Sequence, residues 1–294
     1  MNATPADPFQ ADRTLVEAAL DRCIPPATAR PAALHAAIRH SLFAGGKRIR
    51  PLLVLASARA CGAATDDSAL PAALAIECLH TYTLIHDDLP CMDDDTLRRG
   101  RPTCHVVYGE ATALLAGDAL QAIAFGLAAQ SPVRPAEIVR ELARAAGSEG
   151  VVAGQVEDME AERAADPDPE KLDYIETHKT GDLFLCACRM GGHAAGASPE
   201  QLDALSAYAR AIGRAFQIAD DILNATSTPE ALGKAVGTDA ARGKTTAVSL
   251  YGLDGARSRL QTLTGEAVAA LAPFAPARRA PLADLAARLL RRTA

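Results

Sequence analysis

Apolar residues recur every three to four positions along almost the whole chain, the period of an α-helix that turns one face to a core. The same stretches are rich in Ala, Leu, Arg and Glu, all strong helix formers. The pattern predicts helices over Ala11–Asp21, Ala32–Phe43, Pro51–Ala60, Ala69–Asp88, Ala111–Ala129 and Ala136–Glu162. It continues with Pro169–Met190, Pro199–Leu223, Lys244–Leu250, Gly255–Leu271 and Pro281–Arg291. Pro51 and Pro199 suit a first helical turn, Ser198 suits an N-cap, and Gly45-Gly46, Gly100, Gly191-Gly192 and Gly233 mark ends. No stretch alternates as a strand would, and neither a low-complexity linker nor an internal repeat divides the chain. The expectation is one all-α domain over residues 11–294, a bundle whose site is built from facing helices. The first ten residues are expected to lack fixed structure.

Composition narrows the partners. Hydrophobic residues make up 49% of the 294 residues, but aromatics only 4% and Trp none, so Ala and Leu must fill the core. A net charge of −6 argues against nucleic acid or an anionic membrane as the main partner. The basic residues are grouped locally, which favours a small anion. Seven Cys, an odd number without paired C-x-x-C knuckles, read as reduced thiols. No signal peptide is visible in Met1–Gln10, and no stretch approaches the ~20 apolar residues of a membrane span, so a soluble, cytoplasmic protein is expected.

The polar chemistry concentrates in two acidic clusters. The first is Asp87-Asp88-Leu-Pro-Cys-Met-Asp93-Asp94-Asp95, followed by Arg98 and Arg99. Pro90 forces the chain out of helix, so Asp93 can return towards Asp87. An isolated acidic run is ordinarily a solvated loop, and a calcium loop is disfavoured because the Gly and final Glu of that pattern are missing. The two arginines within one short loop are what single it out. In the second cluster Gln217, Asp220, Asp221 and Asn224 share one stripe of an otherwise apolar helix. Carboxylates of this kind suit Mg²⁺, which is commonly held by one or two carboxylates plus substrate phosphates. Arg and Lys suit the phosphates themselves.

Weaker fragments surround these. Gly45-Gly46-Lys47-Arg48-Ile49-Arg50-Pro51 is a tight basic turn at a helix start, where Lys47 and Arg50 can reach one phosphate. Arg48 is expected only to pair with a surface acid. Thr177-His178-Lys179-Thr180-Gly181 sets a Lys and a hydroxyl beside a glycine, and Gln155 and Asp158 stand one turn apart. His80 precedes Asp87 by seven residues, two turns at ~3.6 residues each, on nearly the same face.

Taken together the chain resembles the trans-isoprenyl diphosphate synthases, and is most similar to the bacterial farnesyl diphosphate synthases. The likeness runs from about Ser41 to Leu253 and is densest from Glu77 to Gly100. The resemblance implies an all-helical isoprenoid-synthase bundle around a deep central apolar cavity, and a homodimer. It implies condensation of isopentenyl diphosphate with an allylic diphosphate on three Mg²⁺ ions, with Mn²⁺ as a substitute. In that likeness Asp87, Asp93 and Asp220 are the metal ligands, with Asp88 and Asp221 in the same motifs. Arg98, Lys179, Thr180, Gln217 and Lys234 correspond to allylic-substrate contacts, and Lys244 to another lysine near the diphosphate. Lys47, Arg50, His80 and Arg99 correspond to the isopentenyl diphosphate site. Asp87, Asp88, Asp93, Arg98, Lys179, Asp220 and Lys234 would carry the catalysis.

Two departures stand out. Asn224 ends the second motif where relatives carry Asp, and Asp182 follows Thr180-Gly181 where a small or apolar residue is commoner. Product length is expected to follow cavity depth. One helical turn rises ~5.4 Å, similar to one isoprene unit, so a bulky residue beneath Asp87 would stop growth. Ideal geometry places Thr83 more directly beneath it, while the resemblance, with its two-residue insertion at Pro90 and Cys91, favours Tyr82 as the floor of a C15 site. Farnesyl diphosphate is the expected product. Geranylgeranyl or geranyl diphosphate synthase is the nearest alternative, and a non-catalytic subunit of a heteromeric synthase the more distant one.

Overall fold

The protein is described here by a computed structural model that covers residues 7–161, 168–227 and 245–292. Its helices are α1 (Gln10–Cys23), α2 (Ala32–Leu42), α3 (Ile49–Ala60), α4 (Leu70–Asp87), α5 (Cys104–Tyr108), α6 (Glu110–Ala128), α7 (Pro135–Ala146), α8 (Val151–Ala161) and α9 (Pro169–Ile175). After a π-helical segment, Glu176–Gly181, come α10 (Asp182–Ala194), α11 (Pro199–Thr226), α12 (Ala247–Ala270) and α13 (Pro276–Arg292).

Helices α4 and α10 form the centre. α4 has no polar face to spare, and its residues from Ala72 to Leu79 are all buried. α10 is buried from Asp182 to Cys188 and again from Met190 to Ala194. Such all-round burial is what a helix of Ala, Leu and Cys requires. α3 lies against α4 and α10, α6 covers α4, and α11 and α12 run together beside α10. Small residues let these helices approach closely. A side chain at Gly191 would come within 2.2 Å of the Val54 carbonyl on α3. α13 closes the bundle, and Tyr208 on α11 donates a hydrogen bond to its Leu282 carbonyl at 2.8 Å.

Several expectations are corrected. Residues 7–10 are ordered, because Phe9 is buried in the core and Asp7 pairs with Arg13 and Arg288. The helix expected over Ala136–Glu162 is broken between α7 and α8, where Gly147 takes an extended conformation. The two helices expected around Tyr251 are present as the two arms of α12, which meet at a non-helical Gly252 with φ 68°. A two-residue antiparallel pair, β1 (Leu97–Arg98) with β2 (Arg101–Pro102), occurs where no strand is expected. Arg48 is no surface partner. Its guanidinium is sealed inside and donates to Glu17, Glu77 and the Leu42 carbonyl at 2.6, 2.6 and 2.7 Å. One described helix, α6, is long and apolar enough to cross a membrane by length and composition, contrary to the expectation that no stretch is. It nevertheless packs on α4 through Ala113, Ala116, Leu120 and Ala124.

Candidate active site

α4 ends at Asp87, and Pro90 prevents its continuation. The chain folds back at once. The Asp93 amide donates to the Asp87 carbonyl at 2.9 Å and the Asp94 amide to that of Leu89 at 3.2 Å, with Asp94 left-handed at φ 52°. This return brings Asp93 to Asp87. The β1–β2 turn, with Arg99 and Gly100 both at positive φ, aims Arg98 back at Asp88. Arg98 Nε donates to both Asp88 oxygens, at 2.7 and 2.9 Å. Asp88 is therefore committed to Arg98. The Asp87 carboxyl, by contrast, is pushed up to about 6. Burial is the main cause and Lys179 opposes it, while Asp93 and Asp88 add to it.

The π-helical segment presents the next groups. Lys179 Nζ donates to Asp158 on α8 at 2.5 Å. Thr180 Oγ1 donates to Gln217 on α11 at 3.1 Å. Lys179 acts electrostatically on Asp87 while the adjacent Thr180 holds Gln217, so one dipeptide ties the two acidic clusters to a common space. Within the second cluster Gln217 donates to Asp221 at 3.0 Å, and Asp221 accepts the Ala247 amide at 2.8 Å. Asp221 thus serves the start of α12. Asp220 is half-buried and bears on Arg50, while Asn224 is buried.

The basic turn has its own logic. Arg48 is left-handed at φ 51°, and its buried ion pairs anchor the turn from behind. Arg99 donates to the Gly45 carbonyl, joining this turn to the acidic loop. Arg50 donates to His80 Nε2 at 3.2 Å and lies over the Phe184 ring, 5.0 Å from its centre. A guanidinium only donates, so His80 must be neutral with its proton on Nδ1. Burial, then Arg50 and Arg99, hold the imidazole well below its ordinary value. Burial also lowers Arg50 to about 10, and Arg99 adds to this against the attraction of Glu77 and Asp220. Lys47 is exposed at the mouth of a cavity of about 910 Å³ lined by Leu52, Leu53, Phe184, Ile212 and Phe216. Neither Asp87 nor Tyr82 lines it.

A surplus of carboxylate thus stands beside a surplus of cation, each raising the cost of its own charged state. Such mutually opposed groups mark sites that await ligands of both signs. A scan against family models matches polyprenyl synthetase over residues 31–272. The chain belongs to the polyprenyl synthetase family. It is 46% identical to a chloroplastic geranylgeranyl pyrophosphate synthase of Catharanthus roseus, over 87% of this chain and 73% of that protein. Among solved structures, an FPP/GFPP synthase from Zymomonas mobilis superposes with TM-score 0.85 at 36% identity, covering 96% and 97% of the two chains. A geranylgeranyl pyrophosphate synthetase from Pyrococcus horikoshii gives TM-score 0.88 at 30% identity, covering 96% of each.

As a polyprenyl synthetase the chain is a prenyltransferase with the isoprenyl synthase helical fold. The structure brings together Asp87, Asp93, Arg98, Lys179, Thr180 and Gln217, and beside them Arg50, His80 and Arg99. Lys234 and Lys244 lie outside the described residues. Tyr82 is buried, with its ring edge-on to His86 at 5.4 Å, and Thr83 instead turns its hydroxyl back to the His80 carbonyl at 2.8 Å. Sequence reasoning gave little weight to Asp158 and none to Phe184. The one-turn spacing of Gln155 and Asp158 was the available signal for the first. Phe184 sits in an apolar run and carries none.

Proposed function

We propose that this polyprenyl synthetase is a Mg²⁺-dependent enzyme that condenses isopentenyl diphosphate with dimethylallyl and then geranyl diphosphate, giving farnesyl diphosphate. The observation that carries the reading is the arrangement just described: Asp93 folded back to Asp87, Arg98 on Asp88, Lys179 bearing on Asp87 beside Thr180 on Gln217, and Arg50 on His80 within reach of Asp220. Among the described residues no three carboxylates converge closely enough to hold a metal alone, so the oxygen donors of the two clusters fit a hard divalent cation whose remaining ligands are substrate phosphates. Asp87, Asp93 and Asp220 would hold it. Bound Mg²⁺ supplies charge neutralisation to the diphosphate oxygens.

Arg98, Lys179, Thr180 and Gln217 face the allylic diphosphate, a role the resemblance also gives to Lys234 and Lys244, and Lys47, Arg50, His80 and Arg99 bind isopentenyl diphosphate. As the allylic C–O bond breaks, its electron pair leaves with the diphosphate, and Lys179 and Arg98 stabilise that charge. Apolar walls keep water from the allylic cation. The isopentenyl double bond attacks it, and the departing diphosphate takes the proton released. No protein nucleophile is needed.

Tyr82, buried below Asp87, supports the C15 product. A C20 product is supported by the names of the plant relatives, and a C10 product is the remaining variant. Asp182 gives no support to a non-catalytic subunit, because it turns towards His178. A homodimer is supported by α6, whose outer stripe of Ala111, Leu114, Leu115, Ala122 and Gly126 is exposed and almost wholly apolar. A cytoplasmic setting is supported by seven cysteines that are all free, four of them buried.

The test is incubation of the purified chain with isopentenyl and dimethylallyl diphosphates, with and without a chelator, followed by chromatography of the dephosphorylated products. A C15 alcohol that disappears with the chelator is the expected result. Absence of any prenyl product would sink the reading, and C20 or C10 alone would correct its product.

A further inference from the structure

Asp182 is buried, with 4% of its surface exposed, at the junction of the π-helical segment and α10. A buried carboxylate is costly unless paired, and its pairing here is specific. Asp182 Oδ2 accepts from His178 Nδ1 at 2.8 Å, and Oδ1 faces Arg144 of α7 at 3.6 Å. His178 is four residues earlier, so the contact spans the whole π turn. Successive residues of a helix turn by about 100°, which puts Thr180 on the face opposite His178 and Lys179 between them.

The three consecutive side chains therefore grip three different elements. His178 holds Asp182 and through it α7. Lys179 holds Asp158 on α8, and Thr180 holds Gln217 on α11. A π-helix is a rare, locally strained form that is found mostly at functional sites, and something must fix its register. Glycines allow close approach on two sides. A side chain at Gly154 would meet the Lys179 amide at 2.2 Å, and one at Gly213 would meet Gly181 Cα at 3.0 Å. On the third side the polar tie is Asp182 itself, paired with His178 within the turn and with Arg144 on α7.

We propose that Asp182 is a positioning residue for the allylic diphosphate. It locks the π turn through His178 and Arg144, so that Lys179 and Thr180 stand on the substrate side. The inference rests on the prenyltransferase reading and deepens it. It explains how an extra anion is accommodated one residue from Gly181, since its charge is spent on groups facing away from the acidic clusters. A purely structural ion pair would affect both substrates alike; a positioning device affects one.

The experiment compares wild type, D182A and D182N. D182A is expected to raise KM for dimethylallyl diphosphate about tenfold, one decade of affinity, while KM for isopentenyl diphosphate stays within about twofold. D182N restores most of the loss, because its amide oxygen still accepts from His178. H178A, at a half-buried position, gives the same split if D182A does not fold. Calorimetric titration with inorganic pyrophosphate and Mg²⁺ supplies a readout independent of turnover, with D182A binding about tenfold more weakly. Equal rises in both KM values, a lower melting temperature with unchanged KM, or equal pyrophosphate binding by D182A and wild type each overturn the proposal. A wild type that binds pyrophosphate but makes no product would instead sink the prenyltransferase reading.

Discussion

His80 shows how much one side chain can report. Its Nε2 accepts a hydrogen bond from Arg50, and burial, then Arg50, Arg99, Arg98 and Arg48, all disfavour its protonation. In the unfolded chain the same imidazole titrates near 6.5. The unfolded state therefore gains a proton as pH falls below that value and the folded state does not, so this group's contribution to stability declines towards acid. The slope is about 1.4 kcal/mol per pH unit until the folded value is reached. Asp87 and Glu176, whose carboxyls are raised to about 6 and about 7, act in the opposite sense. They cancel when wild type is compared with H80Q, whose amide oxygen still accepts from Arg50 without titrating. Denaturant unfolding of both proteins between pH 7 and 5 should show the variant gaining on the wild type as pH drops, and parallel curves would show that His80 is not held neutral. Tyr82 makes a second claim at this scale. Tyr82→Ala should move the product mixture towards chains longer than C15, by chromatography, and an unchanged distribution would place the floor elsewhere.

Elements were legible where the apolar period ran long and were missed where it was interrupted gently. α2, α6 and α11 begin within a residue of expectation because an Ala- and Leu-rich run starts directly after a residue that interrupts helix, Pro31, Gly109 or the Ser198 cap. The break between α7 and α8 was missed although Gly147-Ser148-Glu149-Gly150 has the composition of a turn, because Ala145 and Ala146 before it and Val151 and Val152 after it resume the apolar period so soon. The π turn leaves almost no trace, because one extra residue per turn barely shifts a short polar stretch. The i,i+4 spacing of His178 and Asp182 was readable as a pair, yet only the packed helices show that it faces α7. Gly154 belongs to the same scale. Any Cβ there collides with the backbone of Lys179, so α8 and the π turn would have to separate. Gly154→Ala should cost about 1–3 kcal/mol of stability, as overpacking does, and raise KM for the allylic substrate. Gly265→Ala on α12, where a Cβ meets nothing within 4 Å, serves as control and should stabilise by about 0.5–1 kcal/mol. Similar melting temperatures for the two variants would mean that the α8 contact is looser than described.

Among the described residues, α5 and α6 present a large apolar surface that nothing described covers. α6 is apolar on two sides, one against α4 and one outward, and a helix apolar all round is ordinarily buried all round. Leu114 and Leu115 are 46% and 57% exposed there, and Val106 and Val107 on the neighbouring α5 are 51% and 47% exposed. Large contiguous patches of this kind mark interaction surfaces. The outer stripe is also narrow in relief, since Ala111, Ala122 and Gly126 allow a second helix to lie close. A twofold pairing of α6 against α6 would meet this with a self-complementary contact, with Asp118 as the one charge within the stripe, near His86. The nearness matters for function, because His86 precedes Asp87 and bonds the Leu114 carbonyl at 3.0 Å, so α6 steadies the end of α4. Sedimentation should therefore find a dimer for the wild type and a monomer for Leu115→Glu. The monomer should lose activity out of proportion to its stability. A wild type that sediments as a monomer would remove the dimer, and a monomeric variant with full activity would separate assembly from catalysis.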